Sequence, residues 1–569
     1  MLRTRLHGIV IIVAALAMVA ALWPAAGGAA PAFRKDLVLG MIQEPAGLNP
    51  LTASAATDVQ FLPIFAAYSY VRNDRLDLIN EYVDQVPTIA NGLWKTGPGG
   101  TMEVTWKLRR DLKWQDGKPL TTDDFKFTWE IFKDPKAPFG ARPVLDVISS
   151  VTFPDPYTMV VKYSKPWVRA NLLWLGAFST PLPRHIVQPM VQRVGIERFA
   201  EIPYGSDPAQ TIGAGPYVLK SWLRGNEMVF EANPNYHMGR PVLDRIVFKF
   251  FTDVNVMVAN FAAGRLDGSP PNPGGIPLAQ AIEVEDLLQS GRLSGYRVEY
   301  YAAPASEAYW YNFENNAVVR DRRVRQALLH AIDREGIAQT IFRNKVFVGH
   351  SYFPPTHPSY NTGIKKYGYD PARARALLDE AGWRAGPDGI RRNAAGDRLS
   401  QIISAPAGDR TRERVEQVVQ SQWREVGADL VIDNKPVRTI LAEVWLTGKR
   451  PPDMLNFSHP IDDFSDIDTW WASWNAPPAG QRGTNHSRYR NEEWDKVLRE
   501  YSITLDPRQR REIQKRFQVT WSEDVPIILL YNFVGASVLR EGLTGLRPLG
   551  LSYTPGYYTW NTRSWRWSR

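Results

Sequence analysis

The chain has 569 residues, 44% hydrophobic and 22% charged, which is long for one domain of ~150 residues and predicts two or three. This is ordinary globular composition, and it excludes a disordered or fibrous chain. The net charge is +9, but the basic residues are dispersed among 59 acidic ones and no nucleic-acid-binding signature accompanies them, so the surplus reads as a basic solvated surface.

Residues 1–30 read as a secretion leader. Arg3 and Arg5 precede the apolar run 9–22, and the small residues 25–30 supply a cleavage region. The run is shorter than the ~20 residues of a membrane span. The expectation is an exported, periplasmic chain, with retention of the leader as an anchor as the alternative. There is no cysteine. Disulfides are unnecessary in a core this large, and lipid attachment through a cysteine is excluded.

Residues 37–42 predict a short apolar strand. The Pro- and Gly-containing run Gln43-Glu44-Pro45-Ala46-Gly47-Leu48-Asn49-Pro50 predicts an irregular loop. Residues 61–71 are apolar and aromatic and predict a helix. The stretch 105–130, TWKLRRDLKWQDGKPLTTDDFKFTWE, opens with period-two alternation: Trp106, Leu108, then Leu112 and Trp114 are apolar. Asp116-Gly117 marks a turn, and Thr122, Asp123 and Asp124 offer caps for a following helix. The prediction is strand, turn, strand, capped helix.

Further on, 159–163, 217–222, 228–231 and 246–250 predict strands. Gly213-Ala214-Gly215 is followed by Pro216 and a strand, so the helix terminus of a phosphate loop is missing. The breaker-rich stretch 264–275 reads as a loop, and 296–302 as a strand starting a crossover. Val324, Ala327, Leu328, Ala331 and Ile332 recur at helical spacing within 320–342, with Asp321 as cap. Asp370-Pro371 and Asp506-Pro507 each start a helix. A helix over 412–425 leads into a strand over 428–432, and 527–531 reads as a fully buried strand. His185, His330 and Asp333 read as structural.

Several of these blocks, in order, resemble one family. LR-x-x-(apolar)-K-(aromatic)-x-DG-x-P-L-T within 105–130, the run GPYVLKSWLRGNEMVFEANPNYHMGRPVLDRIVFKFFTD, DRRVRQALLHAIDREGI, and Asp370-Pro371 through Glu380-Ala381-Gly382-Trp383 are similar to the extracellular solute-binding proteins of family 5, the peptide- and nickel-type receptors of ABC importers. The resemblance implies a mixed α/β fold of two lobes joined by a two-crossing hinge, with an extra inserted domain. It implies lobe I at 33–60, 197–298 and 528–569, an inserted subdomain at 61–196, and lobe II at 299–527. It implies capture of a solute, by default a peptide, for a membrane permease, by a monomer with no cofactor and no nucleic-acid partner.

The eight His residues show no metal-ligand spacing, and there is no GxSxG elbow and no P-loop. No catalytic residue, metal or cofactor is expected. A carboxylate-dependent hydrolase would need two acids converging on a cleft. The densest candidate for ligand binding is 456–474, NFSHPIDDFSDIDTWWASW, from which we take Phe457, Ser458, His459, Asp462, Asp463, Trp470, Trp471 and Trp474. Tyr309 and Glu44 complete the set; the family's segment matching 44–50 runs along the cleft. In peptide-binding members the matching loop reads roughly G-W-x-x-D-Y, and its Asp pairs with the peptide α-ammonium. Here Phe457-Ser458-His459-Pro460-Ile461 has no Asp at that step, leaving Asp462 or Asp463 as substitutes. The altered loop and the 20 Trp residues keep an oligosaccharide, and the family's other branch a nickel chelate, as alternative ligands.

Overall fold

The computed structural model describes residues 35–568 except 54, 76, 140–142, 173–179, 441–452, 461–466, 477–483 and 550–555. The leader expected at 1–30 therefore lies outside the described residues. An eleven-stranded mixed sheet runs through the chain. Its order is Asp429–Ile432, Ser400–Ser404, Met454–Pro460, Tyr296–Tyr311, Ile527–Arg540, Gly268–Ser269, Asp36–Met41, Arg245–Phe250, Glu227–Ala232, Tyr217–Leu223, with Phe347–Val348 paired on Ile527–Arg540.

Two strands join the halves of this sheet. Tyr296–Tyr311 and Ile527–Arg540 pair antiparallel from Tyr296↔Arg540 to Trp310↔Ile527. At one end Tyr296 and Val538 belong to a core with Met257, Phe261 and Val284. At the other, Tyr309 and Ile528 belong to a core with Leu328, Val419 and Trp423. The same two strands are thus buried in separate cores, which is a hinge with two crossings. Their ladder slips between Ala302 and Ser306. A side-chain bond bridges the break, Asn532 Nδ2 donating to Ser306 Oγ at 2.7 Å.

A separate antiparallel sheet, in the order Trp94–Thr96, Met102–Lys107, Thr158–Tyr163, Ile148–Asp155, carries the stretch 105–130. Trp106, Leu108, Leu112 and Trp114 are all buried, as the alternation requires. The second predicted strand is only a single bridge, Lys113 to Pro119. Gly117, at φ 87°, closes a turn there, with the Gly117 N–H donating to the Trp114 carbonyl at 2.9 Å, and the pairing that follows is limited to Trp114 N donating to the Lys118 carbonyl at 2.8 Å and Leu120 N to the Leu112 carbonyl at 3.1 Å. The helix Thr122–Lys133 starts one residue after its cap. The Thr121 side chain accepts from Asp123 N, and Asp124 Oδ2 accepts from Thr121 N at 3.1 Å, a capping box.

Two other elements depart from the sequence prediction. The helix expected over 320–342 divides into Arg322–His330 and Arg334–Thr340. The first ends at Ala331, and Asp333 caps the second, accepting from Gly336 N at 2.8 Å, as a short acidic side chain does at a helix start. The apolar segment 61–71 lies across the helix Ala56–Phe65 and the strand Tyr70–Arg72.

Candidate functional site

A cavity of 1020 Å³ lies where the two halves of the sheet meet at the hinge strands. Ile42, Gln43, Ala56, Asn272, Pro273, Leu278 and Glu283 wall one side. Glu307, Phe342, residues 408–412, Ser458, Tyr531 and Phe533 wall the other. The volume is at the upper end of the ~300–1,000 Å³ of small-molecule sites.

The second wall is built from a helix terminus and a buried ion pair. The helix Arg410–Glu425 begins at Asp409, whose Oδ1 accepts from Thr411 N at 3.1 Å and Arg412 N at 3.0 Å. Its first turn therefore faces the cavity with the positive end of the helix dipole, together with Arg410 and Arg412. Arg412 Nε donates to Glu307 Oε1 at 2.8 Å, and its Nη2 donates to Oε2 at 3.2 Å. Glu307 is 2% exposed. Burial pushes its carboxyl up and Arg412 pulls it back. Phe342, Tyr531 and Phe533 add apolar and aromatic surface.

Strand parity sorts the predicted ligand residues. Met454–Pro460 pairs antiparallel with Tyr296–Tyr311, and Ser458 stands opposite Glu307. Successive side chains on a strand point to opposite faces. Ser458 reaches the cavity with Glu307. On the other face, His459 is fully buried and stacks on Trp310 at 5.1 Å. Trp471 stacks on the same indole at 5.9 Å, and Trp470 lies 5.8 Å from it. Trp471, Trp470 and His459 are thus held in an aromatic core with Tyr352, Trp494 and Trp521, and they do not line the cavity. Phe457 packs against that core, and its carbonyl accepts from Trp310 Nε1 at 3.2 Å.

The remaining predicted residues are placed elsewhere. Tyr309 is fully buried, at 0% exposure. Trp474 is on the surface with Arg499 stacked over its ring at 4.8 Å. Glu44 ties its loop to the hairpin of Tyr217–Leu223 and Glu227–Ala232, accepting from Trp222 Nε1 at 2.5 Å and Gly225 N at 2.8 Å; its neighbour Gln43 lines the cavity instead. Asp462 and Asp463 lie outside the described residues. Sequence reasoning missed Glu307, Arg412, Tyr531 and the loop at 272–273. The breaker-rich composition of 264–275 was a visible signal for that loop.

A second contact spans the two halves. Arg169 Nη2 donates to Asp468 Oδ1 at 2.8 Å, and both side chains are largely buried. Among the described residues no group of three or more His, Cys, Asp or Glu is arranged to hold a metal ion, and no helix is long and apolar enough to cross a membrane.

Two α/β lobes on a pair of shared strands, with a cavity between them, define a two-lobe solute receptor. The chain belongs to the bacterial extracellular solute-binding proteins, family 5, whose family profile (described as family 5 Middle) matches residues 84–481. It is similar to the oligopeptide-binding protein AppA of Bacillus subtilis, at 27% identity over 93% of this chain and 91% of that one. It is also similar to the dipeptide-binding protein of Escherichia coli, at 23% identity over 91% and 93%. Among solved structures, the oligopeptide-binding protein of Thermus thermophilus in complex with a pentapeptide matches with TM-score 0.74 and 25% identity, over 94% of this chain and 96% of that one. NikZ of Campylobacter jejuni in complex with Ni(L-His) shares the fold, with TM-score 0.72 and 22% identity over 94% and 99%.

Proposed function

We propose that this chain is the solute-capturing component of an ABC importer, which holds a short peptide between its lobes and delivers it chemically unchanged to permease subunits in the membrane. The observation that carries this reading is the cavity at the hinge, walled from both sides. A ligand there favours the closed arrangement only through contacts with both walls. The cavity offers cationic groups at Arg410 and Arg412, carboxylates at Glu283, Glu307 and Asp409, and aromatic surface at Phe342, Tyr531 and Phe533. Both signs of charge around an apolar middle suit a zwitterionic peptide better than a neutral sugar. The peptides named for the relatives in Bacillus subtilis, Escherichia coli and Thermus thermophilus support the same class.

In this reading the chain works in the periplasm as a monomer, after loss of residues 1–30, with no cofactor and no nucleic-acid partner. Lobe I comprises 33–60, 197–298 and 528–569, with 61–196 inserted, and lobe II comprises 299–527. A thermal-unfolding panel tests the ligand class. A short peptide at ~100 times its Kd adds ~2.7 kcal/mol to the folded state and raises the midpoint. A panel in which oligosaccharides alone raise it contradicts the proposal.

A further inference from the structure

A second cavity, of 350 Å³, lies away from the hinge, between the hairpin of Tyr70–Arg72 with Leu78–Asn80 and the C-terminal segment around Thr544 and 560–566. It shares no lining residue with the hinge cavity. Three guanidiniums reach it, Arg547, Arg563 and Arg566, against two carboxylates, Asp74 and Glu81. Trp560, Val71, Ile79 and Met238 give it apolar walls.

The polar groups of this cavity are mostly spoken for. Asn561 Nδ2 donates to the Gly545 carbonyl at 2.5 Å, and its Oδ1 accepts from Trp565 Nε1 at 3.0 Å. Ser564 Oγ donates to the Asn561 carbonyl at 2.8 Å, and Thr544 Oγ1 to the Arg566 carbonyl at 3.2 Å. Trp560 Nε1 donates to the Arg547 carbonyl at 2.6 Å, which fixes the indole. Asp74 lies 3.5 Å from Arg547. Glu81 is buried and accepts from Tyr68 N at 2.8 Å and Tyr236 Oη at 2.9 Å. What remains is the side chains of Arg563 and Arg566, which make no hydrogen bond or ion pair among the described residues; the charge of Arg563 acts on the neighbouring Glu81 carboxyl, and Arg566 is exposed. Arg563 is half-buried, and the planar fork of a guanidinium matches a planar or tetrahedral oxyanion.

We propose that this cavity is a second ligand site, which takes a small organic oxyanion, a carboxylate or a phosphate, on Arg563 and Arg566, with its carbon frame against Trp560. The cation excess sets the sign of the ligand, and the volume sets its size, at the lower end of small-molecule sites. Free metabolites and lipid headgroups both carry this chemistry.

The test is calorimetric titration of the purified chain at constant ionic strength with inorganic phosphate, succinate and benzoate, and in a separate arm with phosphatidylglycerol vesicles. The Arg563→Gln variant weakens binding about tenfold or more, the usual loss for one charge-assisted bond. Arg563→Lys, which keeps the charge, retains part of it, and peptide binding at the hinge is unchanged in both. Arg563-dependent binding in the first arm identifies a soluble anion as the ligand, and in the vesicle arm alone a headgroup. Absence of binding in both arms, or binding that Arg563→Gln leaves intact, overturns the proposal. Retained peptide binding in the variants shows that they are folded.

Discussion

Arg412 grips Glu307 with two parallel hydrogen bonds, at 2.8 and 3.2 Å, across 105 residues of sequence and at the wall of the hinge cavity. Removing one member leaves the other charge buried and alone, which costs about 3–5 kcal/mol. Arg412→Ala is expected to lower the unfolding free energy by about that amount in denaturant titration. The double variant Arg412→Ala/Glu307→Gln recovers part of the loss. Equal stability of the single and double variants would show that the pair is not coupled.

The Arg169–Asp468 bond at 2.8 Å joins the two halves of the molecule and is largely shielded from water. Breaking a shielded pair at an interface mainly speeds dissociation, at about 2 kcal/mol or more. Asp468→Asn is expected to favour the open arrangement. Its radius of gyration by X-ray scattering rises, and ligand leaves at least tenfold faster in stopped-flow displacement. Unchanged scattering and release would remove the contact from the closing movement.

Burial drives the His459 imidazole down to about 3, whereas an unfolded histidine titrates near ~6.5. Below that value the unfolded state takes up the proton and the folded state does not. The contribution is therefore intact above about pH 6.5 and lost as pH falls toward 3. His237, His350 and His357, each lowered to about 4, act in the same direction. Glu81, raised to about 7, acts in the opposite one: its contribution is present below the unfolded value and lost as pH rises toward 7. His459→Phe is expected to make the fall in stability between pH 6 and 4 shallower by about 1.4 kcal/mol per pH unit. A wild-type slope in the variant contradicts this.

Ser458 and Trp471 separate binding from folding. Trp471 is fully buried among aromatic rings, and Trp471→Ala is expected to cost about 3–5 kcal/mol of stability. Ser458 stands on the cavity wall. Ser458→Trp is expected to fill that wall and abolish ligand binding, with the thermal midpoint held within a few degrees. Loss of stability in both variants would place Ser458 in the core.

Three helix starts were legible from a short acidic residue ahead of the apolar period, whereas the helix Thr122–Lys133 is capped by Thr121 and not by the expected Thr122, Asp123 or Asp124. Asp321, Asp370 and Asp506 each cap a helix as their positions predict, with side chains accepting from Arg323 N, Arg373 N and Arg508 N. Asp333 shows the limit: the same residue type inside a periodic run starts a second helix after the first has ended at Ala331, and period alone did not reveal it. The binding surface was less legible. Phe457, Ser458 and His459 are consecutive, and the strand they form turns Ser458 to the cavity and His459 to the aromatic core. Local sequence does not say which face carries the core, because that depends on pairing with Tyr296–Tyr311. Glu307 and Arg412 meet through that same long-range pairing, so neither segment signals the site by itself.

The most direct measurement is calorimetric titration of a short unmodified peptide into the wild-type chain and into Ser458→Trp. Saturable one-to-one binding to the wild type, absent in the folded variant, is the result a peptide held between the lobes predicts. Equal binding to both chains would place the peptide elsewhere on the molecule and contradict the account.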